Sequence, residues 1–99
     1  MSAQNDRAVR AQAQSMMQSG HVEAAQSLLE QHLTNRARDH EAMAILAQIF
    51  AMQRRLDEAE SLAMRAIRGD RKRADYHALL GEILMTAGRH RDALARFEQ

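Results

Sequence analysis

The sequence of 99 residues contains no cysteine and no proline, only four glycines and only three aromatic residues. Without cysteine, the chain can form neither a disulfide framework nor a thiolate metal site. The shortage of glycine and proline disfavours a sheet protein, which needs many tight turns. The hydrophobic residues, 45% of the chain, are mainly Ala, Leu, Ile and Met, and few are β-branched. Composition therefore predicts one all-helical domain with short connections.

The chain also lacks a strong net charge and any long apolar run. Its 14 basic and 13 acidic side chains leave a formal charge of +1, too small to attract nucleic acid or an anionic membrane. No stretch approaches the roughly 18 apolar residues of a membrane span. Residues 1–20 hold no apolar signal-peptide core. We therefore expect a soluble, cytoplasmic protein.

The most informative feature of the sequence is an internal repeat of 34 residues. A shift by this length aligns five columns without a gap: Gly20, Arg54 and Gly88; Ala25, Ala59 and Ala93; Leu29, Ala63 and Phe97; Ala13, Ala47 and Gly81; Met16, Phe50 and Leu84. Within each repeat, apolar residues recur every three or four positions, which is the period of a helix. We therefore predict six helices, at residues 5–18, 22–35, 40–53, 56–69, 74–87 and 90–99.

Two of these columns hold small residues, which would let the paired helices of each repeat approach closely. Another column marks the end of the first helix in each pair. Gly20 and Gly88 can adopt the left-handed conformation that commonly ends a helix. Arg54 occupies the same place in the middle repeat, so we expect it to be left-handed at a cost of about 1 kcal/mol.

The aligned residues resemble the pattern of the tetratricopeptide repeat family over positions 6–99. The resemblance rests on Leu46-Ala47-x-x-Phe50 with Ala59, Ala63 and Ala66, and on Leu80-Gly81-x-x-Leu84 with Gly88, Ala93 and Phe97. The chain departs from that family in lacking the proline that commonly ends each repeat and the usual tryptophan. The resemblance implies one domain over 1–99, with helix-turn-helix repeats at about 6–39, 40–73 and 74–99, the last truncated. Together they would form a right-handed α-solenoid.

The resemblance also implies a protein-interaction scaffold, in which the first helix of each repeat lines a concave groove for a partner's peptide or helix. The candidate groove residues are Arg7, Arg10, Gln14, Met17, Gln48, Met52, Asp75, Glu82 and Met85. Their order predicts a groove that is basic at one end and acidic at the other, with adaptable Met side chains between. The alternative is that these Met residues only form the rim of the core.

Some members of the family grip the C-terminal carboxylate of a chaperone with a clamp of Lys, Asn and Arg. The matching positions in this chain hold Arg10, Gln14, Ile45, Asp75 and Leu79. Only the first two suit a carboxylate, and Asp75 would repel it. We do not expect that activity here.

Basic residues cluster in the turns that follow the second and fourth helices: Arg36, Arg38, Arg68, Arg71, Lys72 and Arg73. Cations near helix C-termini are favoured by the helix dipole, so solvated turns explain them well. An acidic peptide or RNA is the alternative partner, although the scarcity of aromatic residues for stacking makes nucleic acid a poor candidate.

The sequence contains no recognisable catalytic motif. Its five histidines do not form H-E-x-x-H, and the chain has neither G-x-S-x-G nor a glycine-rich phosphate loop. His32, at a place where alanine is usual, is interpreted as a half-buried packing residue. We expect no enzymatic activity, cofactor or metal. The alternative function is a regulatory or assembly module at the N-terminus of a longer enzyme whose catalytic part is not in this chain.

The last predicted helix presents an apolar edge formed by Ala93, Leu94 and Phe97. No later helix of this sequence covers that edge, although covering it would be worth about 1.5–3 kcal/mol for each large side chain. Two explanations stay open: the chain is a piece of a longer protein, or the edge is buried by self-association. Both predict that the isolated chain forms a homodimer through this helix.

Overall fold

The computed structural model describes residues 3–97, and over that range the protein consists of six α-helices and no strands. They are α1 (Ala3–Gln18), α2 (Val22–Asn35), α3 (His40–Met52), α4 (Leu56–Gly69), α5 (Ala74–Thr86) and α6 (His90–Phe97). The predicted all-α fold is confirmed, and every described helix end lies within two residues of its predicted position. The last two residues of the predicted sixth helix lie outside the described range.

The helices pack in three sequential pairs, α1 with α2, α3 with α4 and α5 with α6. Between pairs, α2 packs on α3 and α4 packs on α5. The first helices of the pairs also contact one another, α1 with α3 and α3 with α5, so they form one layer. This layer carries the groove whose cavities are described below.

Small residues make close helix packing possible within the first two pairs. Ala13 and Ala25, and the equivalent Ala47 and Ala59 one repeat later, are all fully buried. A larger side chain at any of these places would push the paired helices apart. The burial of these four alanines is consistent with the close helix approach predicted from the two columns of small residues.

The three turns inside the pairs share one backbone conformation. Gly20 has φ 86°, Arg54 has φ 64° and Gly88 has φ 82°. In each turn the next residue donates its backbone N–H to a carbonyl five positions earlier; the bond from Arg55 to Phe50 is 2.8 Å long. This is the hydrogen bond of a Schellman motif, and the left-handed conformation predicted for Arg54 is confirmed.

A buried polar network joins the first and second repeats. Asp39 caps the N-terminus of α3, where its Oδ1 accepts a 3.1 Å hydrogen bond from the backbone N–H of Ala42. Its Oδ2 accepts 2.8 Å hydrogen bonds from Arg10 of α1 and from the His32 imidazole of α2. His32, interpreted from the sequence as a half-buried packing residue, is buried, and it also helps to hold this carboxylate.

The network changes the acidity of Asp39. Burial alone would raise its pKa, but the hydrogen bonds from His32, Ala42 and Arg10 outweigh burial and hold the pKa below its ordinary value of 3.8. Because folding lowers the pKa, the ionised carboxylate stabilises the folded chain at pH above about 3.8. That stabilisation is lost as pH falls through the lower folded-state value.

Replacing Arg54 with glycine tests the cost of the left-handed turn. We expect Arg54→Gly to raise the free energy of unfolding by about 0.5–1 kcal/mol, because relief of the backbone strain exceeds the extra entropy of an unfolded glycine. Urea denaturation followed by circular dichroism measures the change. Arg54→Ala is the control, since alanine removes the same side chain but keeps the strain. An equal gain in both variants would contradict this explanation.

Replacing Asp39 with asparagine tests the polar network. The amide can still cap α3 but cannot pair with Arg10 and His32, so we expect the free energy of unfolding to fall by about 1–3 kcal/mol at pH 7. The difference in this free energy between Asp39→Asn and the wild type should narrow as the pH is lowered towards 3. Urea denaturation across this pH range measures it, with the exposed Asp57→Asn as a matched charge control. Parallel stability curves for the wild type and Asp39→Asn would show that the network does not set the pH dependence.

Candidate functional site

The open layer of α1, α3 and α5 contains two adjoining cavities. The first, which we call the polar cavity, has a volume of about 150 Å³ and is lined by Gln14, Glu41, Ala44, Ile45, Gln48, Arg73, Asp75, Tyr76 and Leu79. The second, which we call the Met cavity, has a volume of about 340 Å³ and is lined by Met17, Gln48, Ala51, Met52, Leu79, Glu82, Ile83 and Thr86. Both include Gln48 and Leu79, so the two cavities form one continuous groove.

Six of the nine candidate groove residues line these cavities: Gln14, Met17, Gln48, Met52, Asp75 and Glu82. The other three do not. Arg7 is exposed on α1, and Met85 is exposed on α5 outside both cavities. The side chain of Arg10 is only 18% exposed because it pairs with Asp39.

The pairing of Arg10 changes the charge expected at this end of the groove. The sequence pattern assigns Arg7 and Arg10 to a basic end of the groove. The guanidinium of Arg10 is paired with Asp39 and lies 3.8 Å from Glu41, so Arg10 contributes less positive charge there than the pattern implies, while Arg7 is exposed.

An ion pair also occupies the acidic side of the polar cavity. Arg73 donates two 2.9 Å hydrogen bonds to the carboxylate of Asp75 and lies 3.9 Å from Glu41. The hydrogen bond from Arg73 is the main reason why the pKa of Asp75 lies below its ordinary value. The same guanidinium stacks 4.3 Å from the centre of the Tyr76 ring. This end of the groove thus holds charges that already have partners.

Tyr76 links the second and third repeats beneath the polar cavity. Its hydroxyl lies 2.7 Å from Nδ1 of His40, and burial raises the pKa of Tyr76 to about 12. The phenol therefore stays neutral and serves as a hydrogen-bond partner. Sequence reasoning missed this residue, although a signal existed, because Tyr76 stands where the earlier repeats have Ala8 and Ala42.

The Met cavity is mostly apolar and carries one acid. Met52 is 58% exposed, and Met17, Ala51 and Leu79 continue the apolar surface around it. The carboxylate of Glu82 is exposed and forms no hydrogen bond or ion pair with any residue that the structure describes. Such a surface can receive apolar side chains and one positive group.

A separate cavity of about 370 Å³ lies among α4, α5 and α6, away from the groove. Its lining residues are Met64, Ile67, Arg68, Arg71, His77 and Arg96. The basic residues of the turn after α4 therefore lie on different surfaces. Arg71 lines this cavity, Arg73 lines the groove, and Lys72 lines neither. Among the residues whose side chains the structure describes, no Phe, Tyr or Trp lines this cavity.

The apolar edge expected on α6 is described only in part. Leu94 is 58% exposed, whereas the side chains of Ala93 and Phe97 lie outside the described residues. Self-association through this edge stays a prediction. Among the side chains that the structure describes, no three of His, Asp or Glu are grouped to hold a metal ion. Over the same part of the chain, no helix has the length and hydrophobicity needed to cross a membrane.

Solved structures share this fold at low sequence identity. A mutant O-GlcNAc transferase from Thermobaculum terrenum matches with a TM-score of 0.88 and 23% identity, over 97% of this chain and 19% of that one. MamA matches with a TM-score of 0.85 and 23% identity, over 91% of this chain and 53% of its own. The chain therefore spans about half the length of MamA and about a fifth of the transferase.

A third structure contains a bound peptide. The second tetratricopeptide domain of Spaghetti (RPAP3), bound to the HSP90 peptide SRMEEVD, matches with a TM-score of 0.85 and 19% identity, over 92% of this chain and 84% of that one. At such identities the three likenesses establish the fold alone. No match was found among curated protein sequences.

The family model of the tetratricopeptide repeat matches residues 10–77, which is more than half of the chain. The matched segment contains the two complete turns at Gly20 and Arg54 and most of the groove. With the six helices and the 34-residue interval, this match shows that the chain belongs to the tetratricopeptide repeat family.

Proposed function

We propose that this chain is a protein-interaction module that holds a peptide or a helix of a partner protein in the groove of α1, α3 and α5. The observation that supports this most strongly is the continuity of the polar and Met cavities across all three repeats. Members of the family generally mediate protein–protein interaction, but they share a scaffold and differ in what they bind, so the groove residues must supply the specificity.

The side chains in the groove suit a peptide. Met17 and Met52 are flexible and polarizable, so they can adapt to an apolar side chain of the partner. Gln14 and Gln48 stand one repeat apart and are exposed, so their amides can hydrogen-bond to a peptide backbone. Apolar contact with flanking hydrogen bonds is the usual composition of a peptide-binding groove.

A second candidate function is that of a regulatory or assembly module in a longer enzyme. It is favoured by the likeness to the O-GlcNAc transferase, of which this chain matches only 19%. Repeats of this family are generally non-catalytic, and we propose that this chain contributes binding rather than chemistry in either case. A catalytic domain in the same reading frame would support the second function, whereas further repeats would favour the first.

A charge placed in the Met cavity tests the proposed function. Proteins from native lysate that bind the immobilised wild-type module should be retained at least about tenfold less by Met52→Glu, because an unpaired carboxylate would be buried against their apolar side chains. Mass spectrometry with quantitation measures retention. Met64→Glu is the matched control, since Met64 is another exposed methionine but lies on α4 outside the groove.

Circular dichroism must first show that both variants keep the helical fold. Equal retention by the wild type and Met52→Glu would contradict the proposal. If only Met64→Glu lowers retention, the partner binds at the cavity of α4, α5 and α6.

A further inference from the structure

We propose that the Met cavity selects a partner segment that carries a lysine or arginine beside its apolar side chains, and that Glu82 is the residue that recognises this cation. The inference rests on the proposed function of the groove and specifies the chemistry of the partner. It depends on three features: the free charges, the ends of the helices and the apolar surface around Glu82.

The groove lining contains more acidic than basic residues. Three acids, Glu41, Asp75 and Glu82, face a single basic residue, Arg73. That arginine is bound by Asp75 and lies near Glu41, so Glu82 has no cation among the described residues. Glu82 is also the only charged side chain that the structure places in the lining of the Met cavity. A bound cation would therefore meet an uncompensated carboxylate at this place.

The helix ends reinforce this negative charge. The helices α1, α3 and α5 occupy the same place in successive repeats, and Met17, Met52 and Thr86, near or at their C-terminal ends, line the Met cavity. A helix C-terminus carries a partial negative charge that a cation stabilises. None of these three helices has a basic residue in its last turn, whereas α2, α4 and α6 each have one.

The basic residues in the turns after α3 and α5 do not substitute for a basic residue in the last turn of these helices. Arg55 forms a 2.7 Å ion pair with Glu58. Arg89 binds both Glu60 and Asp92, and Arg54 does not line the Met cavity. A partner's lysine or arginine can therefore interact with Glu82 and with the helix ends without displacing an existing pair.

The apolar surface determines what stands beside the cation. Met17, Met52 and Leu79 line the same cavity as Glu82, so a partner that fills it needs apolar side chains beside its basic residue. An acidic segment would place like charges together, which weakens association. The groove thus favours a peptide of opposite charge to the HSP90 peptide SRMEEVD found with RPAP3.

Reversing the charge of Glu82 tests the inference. A displayed library of random 12-residue peptides is selected on the wild type, on Glu82→Lys, on Met52→Lys and on Glu23→Lys, which reverses an exposed acid on α2 outside the groove. Met52→Lys places a cation in the Met cavity beside Glu82, where it would repel a basic segment. We expect the wild type and Glu23→Lys to enrich peptides with Lys or Arg next to apolar residues. Glu82→Lys should enrich peptides with Asp or Glu in that position.

A selected basic peptide then provides a quantitative measure. Fluorescence anisotropy should show that Glu82→Gln weakens its binding about twofold to fivefold, as expected for an exposed ion pair. The loss should shrink when the salt concentration is raised to 1 M, since the pair is screened there. Unchanged affinity in Glu82→Gln would overturn the role of Glu82.

The selections separate failure of this inference from failure of the proposed function. If the wild type and Glu82→Lys enrich the same peptides, and Met52→Lys enriches none, the groove binds peptides but Glu82 does not choose them. If Met52→Lys enriches the same peptides as the wild type, or if no selection enriches any, the groove is not the binding site and both proposals fail.

Discussion

The groove depends on buried small residues in the paired helices. Ala13 and Ala25 of the first pair, and the equivalent Ala47 and Ala59 of the second, are fully buried in helices that pack on each other. Because a methyl side chain takes little volume, these positions allow the paired helices to approach closely. The repetition places α1, α3 and α5 side by side. A surface that can hold a partner therefore follows from a constraint inside each repeat.

The residues that join successive repeats differ from one junction to the next, so the side chains at each junction of the groove differ too. The first junction uses Asp39, which binds Arg10 and His32. One repeat later, the equivalent of Asp39 is Arg73, and the link is instead made by Tyr76 and His40. Both arrangements use charged or polar groups at the N-terminal end of the groove. Most charges at that end are paired with other residues of the protein, so they gain little from contact with a partner.

The sequence predicted the features that depend on local and periodic information. The six helices, and the left-handed turn at Arg54, followed from apolar spacing and from alignment with Gly20 and Gly88. The state of Arg10 could not be predicted in this way, because its partner Asp39 is 29 positions away and a long side chain can reach several acids. Register shows which face a residue lies on. It does not show which charges on that face are already paired.

This distinction bears on how one scaffold can serve different partners. The backbone of this chain matches proteins of 19–23% identity with TM-scores of 0.85–0.88, so the fold is compatible with very different side chains. Shape alone therefore cannot select a partner. Selection must come from the groups that the scaffold leaves unsatisfied, since a paired charge such as that of Asp75 gains little from a new contact. In this groove the carboxylate of Glu82 has no partner among the described residues, and it stands beside an apolar surface on which a partner's apolar side chains can pack.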